Sequence, residues 1–298
     1  GKDQTVLFGT DYARTLAQTA AIPEAMKTSF DLSCIRRKNT EGYHYFISAL
    51  TGKDTESWIP LAVPARSAML YNPMNGSSGK ALLRQKDGKT EVYLQLASGE
   101  SAILKTFTEA DVQVPEWKYQ TVAQGTVELS GLWSLRFVES APAVHSAPDS
   151  VSLGSWTDLS FEGAGTTMGT GCYTTAFVIE NPASAQDWLL SLGDVRESAR
   201  VRINGREVAI LWAVPYCCPI GQYLRSGKNI LEIEVTNLPA NRIADMDRRG
   251  VKWRIFKDIN IAALGYKKGT YAGWEPVPSG LLGPVRIIPL KITKNEMQ

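Results

Sequence analysis

From residue 28 onward, apolar and polar positions alternate in short runs broken by Gly, Asn, Asp and Pro. That is the pattern of half-buried strands in antiparallel sheets, not of parallel strands alternating with helices. GYHYFISAL (42–50), TEVYLQL (90–96) and SAILKTF (101–107) are separated by turn signals at Asn75-Gly76, Asp87-Gly88 and Ser98-Gly99, and predict one small sandwich. In SARVRINGREVAI (198–210), Asn204-Gly205 predicts a two-residue type I′ hairpin, because both central residues there need positive φ. Counting outward pairs Ile203 with Arg206, Arg202 with Glu207 and Val201 with Val208, which puts a charge pair on one face and valines toward the core. NILEIEVTNL (229–238) places Leu231, Ile233 and Val235 inward and Glu232, Glu234 and Thr236 outward. A helical period occurs in YARTLAQTAAIPEAM (12–26), with Leu16, Ala17, Ala20 and Ala21 near one face and Pro23 closing it. The predicted class is mainly β: two antiparallel β-sandwiches with a short N-terminal helix.

TEADVQVPEWKYQ (108–120) carries acids, a proline and no sustained period, so the domain boundary is expected near 115–120, with sandwiches at 27–117 and 118–298. A chain of 298 residues suits about two domains on a prior of roughly 150 residues each. The 32 basic and 30 acidic residues are spread along it, leaving a net charge of +2 and no electrostatic footprint for nucleic acid or an anionic membrane. No run approaches the roughly 20 apolar residues of a membrane span, and residues 1–25 lack the charged start and apolar core of a signal peptide. The helix stands apart from the strands after it, as expected if residues 1–26 are the remnant of a preceding region and Gly1 comes from a tag. Four cysteines are too few for a disulfide scaffold and show no zinc spacing. They are expected to pack as small hydrophobes, with pairing of the adjacent Cys217 and Cys218 strained.

Within the second half, LSGLWSLRF (129–137), SWTDL (155–159), GCYTTAFVI (171–179), residues 188–216 and LRSGKNILEIEVTNL (224–238) succeed one another in an order that resembles the jelly-roll sugar-binding domain of glycoside hydrolase family 2. The second sandwich is accordingly expected to be a galactose-binding-like jelly roll. LSCIRRKNTEGYHYFISAL (32–50), NLPANRIADMDRRGVKWRIFKDIN (237–260) and WEPVPSGLLGPVRIIPL (274–290) extend the resemblance over nearly the whole chain. They are similar to the C-terminal region of glycoside hydrolase family 106, the bacterial α-L-rhamnosidases. That resemblance implies a catalytic (β/α)₈ barrel upstream, bearing both catalytic glutamates, and an exported, periplasmic or extracellular parent. The implied partners are carbohydrate, a plant or bacterial glycan, and the barrel of the same parent chain. An autonomous carbohydrate-binding module and a fragment of a family 2 β-galactosidase or β-glucuronidase are the competing readings.

The conspicuous chemistry lies in VTNLPANRIADMDRRGVKW (235–253), which reads as a long loop. Glycoside hydrolysis needs two carboxyl groups about 5–5.5 Å or 6.5–9.5 Å apart, one with a raised pKa. Asp245 and Asp247 are the obvious pair, but Arg242, Arg248 and Arg249 beside them lower carboxyl pKa values. Salt bridges pinning the loop are therefore expected, and no catalytic residue. No cofactor is expected; calcium would draw on the same two acids, a thin supply for an ion that takes about six to eight oxygens. His44 reads as a strand residue and His145 as a loop residue, too far apart in sequence for ligand spacing. Sugars stack on aromatic faces and hydrogen-bond to Asp, Asn and Arg, which singles out Trp274, Trp253, and Trp156 with Asp158. Trp133, Trp188 and Trp212 sit in strand patterns and are expected in the core. Trp274, before a Pro- and Gly-rich segment, is either a platform at the rim or a buried anchor. RRGVKWRIF (248–256) has the composition of a docking surface. The carbohydrate-binding or domain-docking set is thus Trp274, Trp253, Arg242, Asp245, Asp247, Arg248, Trp156 and Asp158.

Overall fold

A computed structural model describes residues 10–17, 19, 22–145, 150–254 and 269–293. The chain divides into two compact units, Gly1–Tyr119 with Thr293–Gln298, and Gln120–Ile292.

In the first unit the helical stretch is two short helices, α1 (Tyr12–Ala17) and α2 (Ala25–Phe30). Pro23 cannot donate into a helix and disfavours helical backbone before it, so the helix restarts beyond it. Leu16 is exposed, whereas Met26 on α2 is fully buried; Ala20 and Ala21 lie outside the described residues. Beyond α2 come eight strands: β1 (Ser33–Lys38), β2 (Gly42–Ser48), β3 (Thr55–Pro60), β4 (Ser67–Tyr71), β5 (Ser78–Lys80), β6 (Leu83–Lys86), β7 (Lys89–Leu96) and β8 (Ser101–Phe107). They form an antiparallel sheet β1-β2-β8-β4-β5 and a second, β3-β7-β6. Tyr45, Ile47 and Leu104 from one sheet meet Ile59, Val92 and Leu94 from the other, with Met26 and Leu32 closing the core. Asp87 and Gly88, at φ +50° and +74°, turn β6 into β7.

The second unit holds β9 (Tyr119–Val122), β10 (Val127–Glu128), β11 (Ser134–Ala141), β12 (Met168–Ile179), β13 (Asp187–Ser191), β14 (Asp194–Arg196), β15 (Ser198–Ile203), β16 (Arg206–Leu211), β17 (Cys217–Pro219), β18 (Gly227–Thr236), α3 (Ala240–Arg248), β19 (Gly280–Gly283) and β20 (Arg286–Thr293). One sheet runs β11-β12-β18-β15-β16; the facing one runs β10-β20-β13-β17, with β9 also on β20. Leu231, Ile233 and Val235 are buried as their alternation requires, against Leu190 and Ile287 of the facing sheet, with Trp133 and Trp188 in the same core. On the outer face Arg202 Nη1 donates to Glu234 Oε1 at 2.7 Å. The hairpin forms at Asn204 (φ +53°) and Gly205 (φ +78°), and Ile203 opposes Arg206 and Arg202 opposes Glu207. Beyond that the register shifts: Val201 opposes Ala209 and not Val208, because a bulge places one extra residue on β16. Trp212 is also misassigned by the strand pattern. It lies just past the last residue of β16, where the pleat no longer dictates direction, and is 65% exposed. The four cysteines are free thiols, and burial pushes Cys218 up to about 12.

Residues 240–248, expected as loop, form α3 instead. Pro239 precedes its first residue and Gly250, at φ +68°, lies just past its end, a start and stop that suit a helix. Its fully buried residues are small and partly polar, Asn241 and Ala244, so the face lacks the large apolar side chains that usually mark a core-facing helix.

Candidate functional site

The site is built on α3 and on how that helix is fastened to the jelly roll. Asn237, just past β18, accepts from Gly169 N at 2.9 Å and donates to Thr167 O and Ser279 Oγ, each at 3.1 Å. Asn241, on the inner face of α3, mimics a strand partner for Val277: its Oδ1 accepts from Val277 N and its Nδ2 donates to Val277 O, both at 2.8 Å. Ser279 N donates to Ser155 Oγ at 3.0 Å. All four side chains are buried and paired, as buried polar groups must be.

Asp245 and Asp247 stand two residues apart on this helix, roughly 200° around its axis, and so face different partners. Asp245 Oδ2 accepts from Arg242 Nη1 at 3.1 Å and Arg249 Nη2 at 2.7 Å, one turn to either side. Asp247 gathers the neighbouring segments. Its Oδ1 accepts from Trp253 Nε1 at 2.6 Å, and its Oδ2 from Tyr271 N at 2.7 Å and Thr270 Oγ1 at 3.1 Å. These bonds hold the Asp247 carboxyl below its ordinary range, the Tyr271 N–H first, the Trp253 indole next and Arg254 only last. The sequence assigned that lowering to arginines; the main cause is a backbone amide brought in from residue 271. Asp247 is thus an ionised acceptor, the opposite of a proton donor.

Around it three rings gather. Tyr271 and Trp274 have centroids 4.5 Å apart, Trp253 and Tyr271 6.2 Å, and the Arg254 guanidinium lies 5.1 Å from the Trp253 ring and 5.2 Å from Tyr271. Arg254 Nη2 also donates to Gly269 O at 2.7 Å and Arg248 Nε to Ala272 O at 3.2 Å. Trp274 N donates to Tyr271 O at 3.0 Å, and the indole is 51% exposed. The result is a supported aromatic face, edged by guanidinium groups, that can stack on an apolar ring face or pack in an interface. Sequence reasoning missed Tyr271, for which the GTYAGW turn, with its aromatic three residues before Trp274, was the available signal; Arg254 was included only as part of the docking stretch 248–256. Ile255 and Phe256 of the expected docking stretch lie outside the described residues.

Trp156 and Asp158 do not belong to this group. Trp156 is fully buried, donates from Nε1 to Tyr173 Oη at 2.6 Å and packs edge-on against Phe137 at 4.8 Å. It is a core residue that no ligand can touch. Asp158 is exposed at the end of the same short turn and accepts only from Thr157 Oγ1, at 3.4 Å, among the described residues. His44 is an exposed strand residue whose Nδ1 lies 2.9 Å from Asn39 Nδ2. The carboxylates considered for calcium are those committed to arginines and N–H donors, and among the described residues no three His, Cys, Asp or Glu side chains gather to hold a metal.

No protein-family model matches the chain. A putative β-glucuronidase of Formosa agariphila is 30% identical over 179 residues, covering 54% of this chain and 15% of that protein. Among solved structures, a rhamnosidase from Novosphingobium sp. PP1Y superposes with a TM-score of 0.66 at 23% identity, covering 94% of this chain and 26% of that one. The likeness to the rhamnosidase is one of fold, a β-sandwich architecture shared with that 26% of its chain. This chain spans well under a third of either protein's length.

Proposed function

We propose that the chain is the non-catalytic C-terminal β-sandwich region of a bacterial, exported α-L-rhamnosidase-like glycoside hydrolase of family 106. It supports the catalytic barrel of its parent, and the face formed by α3, Trp253 and Trp274 docks there and borders the carbohydrate site. The observation that carries this reading is the fold match, which takes in 94% of the chain and hence strands of both sandwiches within one rhamnosidase. The site geometry supports the non-catalytic part. Asp245 is tied to Arg242 and Arg249, and Asp247 is engaged by N–H donors that hold its carboxyl low, which suits a pinned structural face and not general acid catalysis.

The test has two arms. The purified chain is incubated with aryl α-L-rhamnoside and aryl β-glucuronide, where no turnover is expected; turnover abolished by Asp247→Asn overturns the reading. Calorimetric titration with rhamnose-containing oligosaccharides then reads the α3 face. Tight binding lost in Trp274→Ala would make the chain an autonomous carbohydrate-binding module in place of a barrel support.

A further inference from the structure

The second unit also contains a cleft of about 410 Å³ beside the start of β13, lined by Pro182, Asp187, Trp188, Pro219, Gly221 and Gln222. Its size falls in the range of about 300–1,000 Å³ typical of small-molecule sites. The walls are fixed by hydrogen bonds that leave other polar atoms unused. Asp187 Oδ1 accepts from Trp188 N at 2.8 Å and Gly221 N at 3.2 Å. A Cβ at residue 221 would fall against that same oxygen, so a side chain there would push the Asp187 carboxylate out of its present position. Trp188 Nε1 donates to Pro182 O at 2.8 Å, and Ile220 N to Trp188 O at 2.7 Å, so both rims of the cleft are tied to the tryptophan between them.

Asp187 Oδ2 and the Gln222 amide have no hydrogen-bond partner among the described residues, and Gln186 uses only its Oε1, on Ile292 N. The cleft therefore offers one oriented carboxylate oxygen and amide groups that donate and accept, beside the flat apolar surfaces of Pro182 and Pro219. A hydroxyl both donates and accepts, so neighbouring hydroxyls on a ring match a carboxylate and an amide side by side, while the C–H face of the ring matches proline. An anion would meet the carboxylate. A divalent cation would find one carboxylate where it needs about six to eight oxygens. We propose that this cleft binds a small saccharide, with Asp187 Oδ2 and the Gln222 amide holding its hydroxyls. The cleft's own lining motivates this site, independently of the rhamnosidase reading, and it is separate from the Trp274 face.

The test is a ¹⁵N-edited NMR titration of the full chain with rhamnose, galactose, glucuronate and disaccharides containing them, at millimolar concentrations. Saturable shifts are expected at the Gly221 and Gln222 amides and the Trp188 indole. Losing one hydrogen bond in Gln222→Ala, or the acceptor in Asp187→Asn, should weaken binding about tenfold. Asp187→Asn keeps an Oδ1 for the Gly221 amide, and unmoved β13 resonances would show that the cleft is intact. Trp274→Ala should bind as the unaltered chain does. Absence of saturable shifts with every sugar, binding that both cleft variants retain, or binding lost only in Trp274→Ala would each overturn the assignment. Saturation by a simple alkylamine and by no sugar would overturn it as well.

Discussion

At Asp247 the bonds from the Trp253 indole and the Tyr271 amide favour the ionised carboxylate, which ties the strength of that hold on the aromatic face to pH. Because the folded pKa is depressed, the stabilisation is present above the unfolded value, about 3.9, and is lost as pH falls through the lower folded value. The Trp253 indole N–H resonance should therefore shift with a midpoint below the ordinary aspartate range, and Asp247→Asn should remove that transition; a midpoint at or above the ordinary value would contradict the hydrogen bonding described. Two tryptophans should respond to truncation very differently. Trp156→Ala should cost about 3–5 kcal/mol, as for large buried side chains, whereas Trp274→Ala, which loses mainly its ring contact with Tyr271, should cost about 0.5–1.5 kcal/mol by urea unfolding. Both look alike in sequence, each with an acid one or two positions on. What separates them is distant: Ser155, next to Trp156, accepts from Ser279 N, 124 positions on, and a Cβ at Gly280 would fall against Trp156 Nε1 itself. No local pattern encodes that cover.

Among the elements, the β15–β16 hairpin was legible because everything that specifies it is local: two residues at positive φ, and alternation on either side. Even there the bulge at Val208 escaped, since β-bulges carry no compositional mark apart from glycine, and none stands at that point. α3 was only partly legible. Its proline and glycine boundaries stand in the sequence, but its hold on the sandwich is polar, through Asn241 to the backbone of Val277, so no large apolar residue marks its fully buried face. That polar hold is testable. Asn241→Ala removes both hydrogen bonds to the Val277 backbone and leaves its carbonyl only the 3.4 Å contact from Ser279 Oγ, which at roughly 0.5–1.5 kcal/mol per bond should cost about 1–3 kcal/mol. Hydrogen exchange should then quicken over residues 240–248 and at Val277, with β18 unchanged; equal quickening in β18 would mean that Asn241 supports the sheet and not the helix.

Across the full chain, each unit owns a hydrophobic core. Tyr45, Ile59 and Leu94 belong to one, and Leu190, Ile233 and Ile287 to the other, with Trp133 and Trp188 in the second. Charge adds little to this division, since basic and acidic residues nearly balance and many meet as exposed pairs, such as Arg286 with Glu128, which contribute roughly 0–1 kcal/mol. Residues 120–292 fall within the roughly 50–250 residues of independently folding domains and contain every residue of both the Trp274 face and the Asp187 cleft. Expressed alone, this stretch should unfold in one cooperative urea transition seen alike by far- and near-ultraviolet circular dichroism. If it does, saccharide shifts at Gln222 should persist in it, because the Asp187, Gly221 and Trp188 bonds that shape the cleft are internal to the unit. A fragment that keeps its strands but loses near-ultraviolet signal would show that the second core is not self-sufficient. A cooperatively folded fragment that has lost sugar binding, against a full chain that retains it, would instead require a contribution to the cleft from outside 120–292.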